Sequence, residues 1–383
     1  MIVYITMLLI SILFIFIGNK LSRKWQKVIC YILASLPFFL VSAFRHNLGT
    51  DYGKRYVYTF NEMLKGRSAE DLKLETGYFQ LINICSLITH EYYIIFVVSS
   101  AIIIGLIMFT IFNKSKNPIL SVIIFLLAGF FFDSLNIMRQ YLAMSFIVFG
   151  YRFLIGKKRY WILYALCVIV AASMHSTAII MLVLLLFPKK MLVSPIWVLP
   201  CAIAVLALNE NLFTILPMFI ENTRFAQYLT NKFAQGEISV LFIAENLCFY
   251  LLMYYIYRKN KNIDNIQEED KLLLNIQACA LMTMVAGSCH MLFIRVALYF
   301  SVFQIISVPY YISKIPTDEV VKDIKKISFN KINITKYAKF IQPTITVLVV
   351  LCFMFAFTRT NILVNTNEVV PYKTILNKDL VIK

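Results

Sequence analysis

Apolar residues along this chain gather in long runs separated by short polar breaks. A helix that crosses about 30 Å of hydrocarbon at 1.5 Å per residue needs about 20 such residues. The runs predict about twelve membrane-crossing helices, at 2–18, 28–44, 92–112, 118–132, 136–155, 160–174, 176–187, 192–208, 239–257, 272–289, 291–312 and 340–357. Several are short. The pairs around Asp133, His175 and His290 have almost no connecting loop, which predicts tight hairpins or broken helices there.

Composition removes the soluble alternatives. Of 383 residues, 60% are hydrophobic and only 15% charged, whereas a soluble domain is nearer 45–50% apolar and about 25% charged. The expected class is an all-α, polytopic integral membrane protein forming a single membrane domain. Thirty-seven Lys and Arg against 20 Asp and Glu give a net charge of +17. In a membrane protein such an excess marks cytoplasmic loops, so its distribution decides its meaning. No basic residue precedes the first run; Lys20, Arg23, Lys24 and Lys27 follow it. This predicts a retained first span with the N-terminus outside, not a cleaved signal.

Alternation then puts 19–27, 113–117, 156–159, 188–191, 258–271 and 313–339 inside, and these hold 22 of the 37 basic residues. Nucleic acid is not needed to explain the charge. Outside lie the loops 45–91 and 209–238 and the tail 358–383, so both termini are external. The stretch 313–339 reads as a basic inner linker. Most of the eight cysteines sit in apolar runs, with Cys85 and Cys289 expected nearer the outer side; they suggest neither a disulfide framework nor a metal knuckle.

On this topology the unusual polar residues fall at one face. His46, His90, His175 and His290, with Arg45, Arg139, Arg295 and Glu245, lie at or near outer span ends. Charges at that depth tend to pair, snorkel or line a wet cavity. Helix N-termini at the same face favour an anion such as phosphate. Asp133-Ser134 can cap the fifth span, with Asn136, Arg139 and Gln140 on one face of its first turn. Packing between helices through hydrogen bonds is the competing reading. Arg295 and Tyr299 repeat the pattern after His290. Asp51 and Glu75 supply carboxylates beside Arg45, and Ser176 can cap the seventh span with His175 at its mouth. No ligand spacing supports a metal site built from His46, His175 and His290.

These segments together resemble the EpsG family of Wzy-like exopolysaccharide and O-antigen polymerases. The resemblance rests on Arg45 to Asp51-Tyr52, Glu75-Thr76-Gly77-Tyr78, Asn136-Ile137-Met138-Arg139-Gln140, His175-Ser176-Thr177-Ala178, Arg295 to Tyr299-Phe300, and Pro371-Tyr372. It implies a membrane glycosyltransferase that joins oligosaccharide repeat units carried on undecaprenyl diphosphate, at the outer face of the bacterial cytoplasmic membrane. It also implies chemistry without a metal or other cofactor, and a flippase and a chain-length regulator as partners.

Within that expectation, arginines would stabilise the leaving diphosphate: Arg139 and Arg295 first, Arg45 and Arg224 after them. His175, Glu75 and Asp51 are the candidates for the general base. Asn136, Gln140, Tyr78, Tyr299 and His290 would orient sugar or phosphate oxygens. The rival from another class is a lipid-linked oligosaccharide flippase, which must offer its charged cavity to both leaflets. An acyltransferase acting on surface sugars is a further alternative.

Overall fold

The structure is a computed structural model that describes residues 1–155, 160–187, 194–208, 240–262, 267–288, 291–327 and 338–382. The chain forms two compact units, one of Met1–Leu182 with Phe353–Lys383 and one of Val183–Cys352.

In the first unit, α1 (Ile2–Lys20) and α2 (Lys24–Ala43) form an antiparallel hairpin. The side chains that α1 leaves exposed are largely Ile, Leu and Phe, as expected for a helix whose outer face meets lipid. Helix α3 (Tyr58–Leu64) and helix α4 (Thr76–Ile88) lie within the loop that follows. Next, α5 (Tyr93–Lys114) packs on α2, where the hydroxyls of Ser42 and Ser100 meet at 2.7 Å. Helix α6 (Pro118–Leu127) is started by Pro118 and by the Asn117 side chain, which accepts from the Leu120 N–H. It is followed at a bend of 51° by α7 (Phe130–Asn136). Helices α8 (Met138–Gly150) and α9 (Trp161–Met174) complete the bundle, with a 3-10 turn at Ser176–Leu182. Returning after Phe353, the chain ends in an antiparallel hairpin, β1 (Tyr372–Thr374) with β2 (Asn377–Ile382), and Arg45 bridges to Thr374.

The second unit contains α10 (Val183–Leu186), α11 (Pro195–Ala207), α12 (Val240–Asn262), α13 (Glu268–Ala286), α14 (Met291–Ser301), α15 (Gln304–Ser313) and α16 (Thr317–Ile327). Helix α17 (Ala338–Phe357) begins in it. Its core is tied by amides: Gln277 and Gln304 both donate to Asn246 Oδ1, at 3.0 and 3.2 Å. Buried Asp270 pairs with Lys314 at 2.7 Å.

The helical class agrees with the apolar pattern. Among the described residues, five helices are long and apolar enough to cross a membrane (α1, α2, α5, α12 and α17), or up to seven if each bent pair, α6–α7 and α14–α15, is one span. The runs expected at 160–174, 176–187 and 192–208 fall on shorter apolar helices. At 1.5 Å per residue the 14 residues of α9 extend only about 21 Å.

Candidate functional site

Polar side chains converge on one end of the first unit, where α1, α5 and α8 begin and α2, α7 and α9 end. Its centre is Glu75, the residue just before α4. Gly77 explains how Glu75 gets there: a Cβ at residue 77 would lie 2.2 Å from Ser173 Oγ and 2.8 Å from the Ser173 carbonyl oxygen. Only a bare Cα lets the first turn of α4 rest on the last turn of α9.

From that position the carboxylate reaches two other elements. Glu75 Oε2 accepts from Arg139 Nη1 at 2.9 Å, in the first turn of α8. Oε1 accepts from the Ser176 N–H at 3.2 Å and from Ser176 Oγ at 3.3 Å, and lies 3.4 Å from His175 Nδ1. The three ionisable side chains are each only 11–12% exposed. Burial alone would raise the Glu75 carboxyl. His175, Arg139 and the Ser176 N–H outweigh it and hold the group at about 2. Arg139 also sits over the Tyr78 ring, 5.6 Å from its centroid. Among the described residues its other guanidinium N–H groups have no hydrogen-bond partner, so donors remain for an anion.

Around this centre, Asn136 serves as a tie. Its Oδ1 accepts from Thr50 Oγ1 at 2.9 Å and from the Asp51 N–H at 3.2 Å, while Nδ2 donates to Asn367 Oδ1 at 3.1 Å. Its carbonyl accepts from Tyr56 Oη at 2.9 Å. Asn367 in turn donates to Asp133 at 2.8 Å. Gly49, at φ +89°, lies so close to Leu135 and Asn136 that a Cβ there would be 3.3 Å from both backbones. The chain therefore turns back over the α7–α8 joint.

Several expectations change here. Asn136 ends α7 and Arg139 belongs to α8, so Asn136, Arg139 and Gln140 are not one face of one helix. Asn136 is largely committed to protein partners, and Gln140 is buried. Ser134 donates to the Phe131 carbonyl instead of capping a helix. Ser176 serves Glu75 rather than a span. Glu75 and Asp51 are not Arg45's partners: Asp51 faces Arg55 at 3.9 Å, and Glu75 pairs with Arg139. Arg45 is 1% exposed, over the Phe96 ring at 4.6 Å and donating to the Ser42 carbonyl. Arg295 and the fully buried Tyr299 lie on α14 of the second unit. Arg224, His290 and Cys289 lie outside the described residues.

A model of the EpsG family matches residues 27–374. The chain belongs to the EpsG family. No curated protein and no solved structure matches it. As an EpsG-family chain it is an exopolysaccharide-polymerase-like membrane protein, a polymerase-type glycosyltransferase at the level of the family. The match includes Glu75, Asn136, Arg139, His175, Ser176 and Asn367 of this cluster.

Sequence reading missed three parts of this candidate site. These are Gly77 as a contact surface, the tail amide Asn367, and Asp133 as its acceptor. The cluster of amides Asn361, Asn365 and Asn367 in an otherwise simple tail was the available signal.

Proposed function

We propose that this protein joins oligosaccharide repeat units carried on undecaprenyl diphosphate, at the outer face of the bacterial cytoplasmic membrane. The observation that carries the reading is one carboxylate, Glu75, shared between an imidazole and a guanidinium that retains donors. Such a set can take a proton and hold an anion in the same step. The acceptor sugar's hydroxyl oxygen attacks the anomeric carbon of the donor, and the bond from that carbon to the diphosphate oxygen breaks. The proton passes to His175, whose Nδ1 faces Glu75, so Nε2 is the accepting atom. The electron pair leaves on the diphosphate, beside Arg139. Asp51, already engaged with Arg55, is a weaker candidate for the base. Arg295 and Arg224 are proposed to bind diphosphate, and His290 and Tyr299 to orient sugar or phosphate oxygens.

The outer-face assignment is supported by charge. The opposite end of the same unit carries Lys20, Arg23, Lys24, Lys27, Lys114 and Arg152, as a cytoplasmic end should. There Tyr31 joins α1 to α5, donating to Asn19 at 2.9 Å and stacking on Phe112 at 4.3 Å. A flippase supplying repeats and a regulator of chain length are the proposed partners.

Arg139→Ala should abolish polymer and leave single repeat units on lipid or on a surface acceptor, with protein abundance unchanged. Polymer of normal length from that variant would remove the proposal. Repeats retained on the inner leaflet would favour a flippase instead.

A further inference from the structure

Beneath the Glu75–Arg139 pair lies a second guanidinium whose surroundings are unusual. Arg45 is 1% exposed, and no carboxylate among the described residues forms an ion pair with it. Its Nη1 donates to the Ser42 carbonyl and its Nη2 to Met138 Sδ at 3.4 Å, while Nε has no hydrogen-bond partner among the described residues. The groups acting on its charge are the hydroxyls of Tyr52, Tyr56, Tyr372 and Tyr4. Burial lowers its affinity for the proton, to about 10, and these tyrosines oppose the shift, so it stays cationic at neutral pH.

Arg45 also adjoins the site: Met138, which its Nη2 reaches, immediately precedes Arg139, Tyr56 donates to the Asn136 carbonyl at 2.9 Å, and the Tyr78 ring lies under the Arg139 guanidinium at 5.6 Å. The Tyr78 hydroxyl is fully buried and has no hydrogen-bond partner among the described residues. A buried charge without a counter-ion destabilises a fold, and replacing it by an apolar side chain of similar volume is often neutral or stabilising. A residue kept only for stability would not be this one.

We propose that Arg45 is a positioning residue of the diphosphate site, one that acts without touching the ligand. Its uncompensated positive charge, held against Met138 next to Arg139, raises the affinity there for a lipid-linked diphosphate. The inference rests on the proposed function.

The test compares full-length wild type, Arg45→Lys and Arg45→Met in lipid nanodiscs, by binding of undecaprenyl diphosphate and by thermal unfolding. The expected loss for Arg45→Met is about tenfold in affinity, the scale of one unit charge acting across a protein interior. Its unfolding temperature should be equal to or above that of wild type. Arg45→Lys keeps the charge and should bind within about threefold of wild type. Inorganic pyrophosphate should lose affinity by a similar factor, because the effect is on charge and not on the prenyl chain. Wild-type affinity in Arg45→Met overturns the inference, as does an Arg45→Met protein that is less stable or does not fold. If wild type itself fails to bind undecaprenyl diphosphate, it is the proposed function that fails.

Discussion

Glu75 remains a carboxylate in a half-closed site because three donors from two other elements surround it. Its ordinary value of 4.5 falls to about 2. A depressed folded-state value contributes stability above the unfolded value, and that stability is lost as pH falls through the folded value. Thermal stability should therefore drop between about pH 4.5 and pH 2 in wild type, by on the order of 2–3 kcal/mol, and Glu75→Gln should lack that portion of the drop. The same ionisation separates two roles. Because Glu75 stays charged down to about pH 2, it is not the group that takes a proton near neutral pH. Replacing His175 by Gln should remove most of the turnover. A full-rate His175→Gln enzyme would transfer the proton role to another group.

At the scale of elements, α4 is placed by what it lacks. The approach of Gly77 to Ser173 leaves no room for even a methyl group, and part of the obstruction is backbone. Gly77→Ala should shift α4 away from α9, lower polymer formation at least tenfold, and cost about 1–3 kcal/mol of stability. Normal polymer and an unchanged unfolding temperature would mean that α4 need not dock on α9. Much of the site was readable before any geometry. The motif residues Glu75, Arg139 and His175 were visible as polar exceptions at the ends of apolar runs, and those runs located α1, α2, α5, α12 and α17 closely. The pairing was not readable, because it depends on contacts between residues 64 and 101 positions apart. The break at Ile137 was hidden because Asn136-Ile137-Met138-Arg139 carries no Pro or Gly to mark it. Burial also reversed the expectation for Arg45: the sequence marks a cation near a span end, and only packing reveals that tyrosines enclose it.

The whole first unit has two chemically different ends. Polar and ionisable groups join loop, α8, α9 and tail at one end; at the other, basic residues follow α1, α5 and α8. In a cysteine-free protein, single cysteines at Thr50 and Asn367 should react with a membrane-impermeant reagent applied from outside. Cysteines at Lys24 and Lys116 should react only after permeabilisation. Labelling of Thr50 and Lys24 positions from the same side would break the proposed topology. Helices α9 and α11 fall on the apolar runs 160–174 and 192–208, and each is shorter than the about 20 residues that a straight crossing needs.

The first unit is interrupted in sequence by the second, and this dictates an order of assembly. Val369 accepts from the Tyr4 hydroxyl, Asn367 bridges Asp133 to Asn136, and the Tyr372 hydroxyl reaches the carbonyl of Val41. None of these closures can form until the ribosome has passed Val183–Cys352. Until then the α7–α8 joint lacks its cover, and the cluster around Asn136 is complete only when the segment after Phe353 folds back onto α1, α2 and that joint.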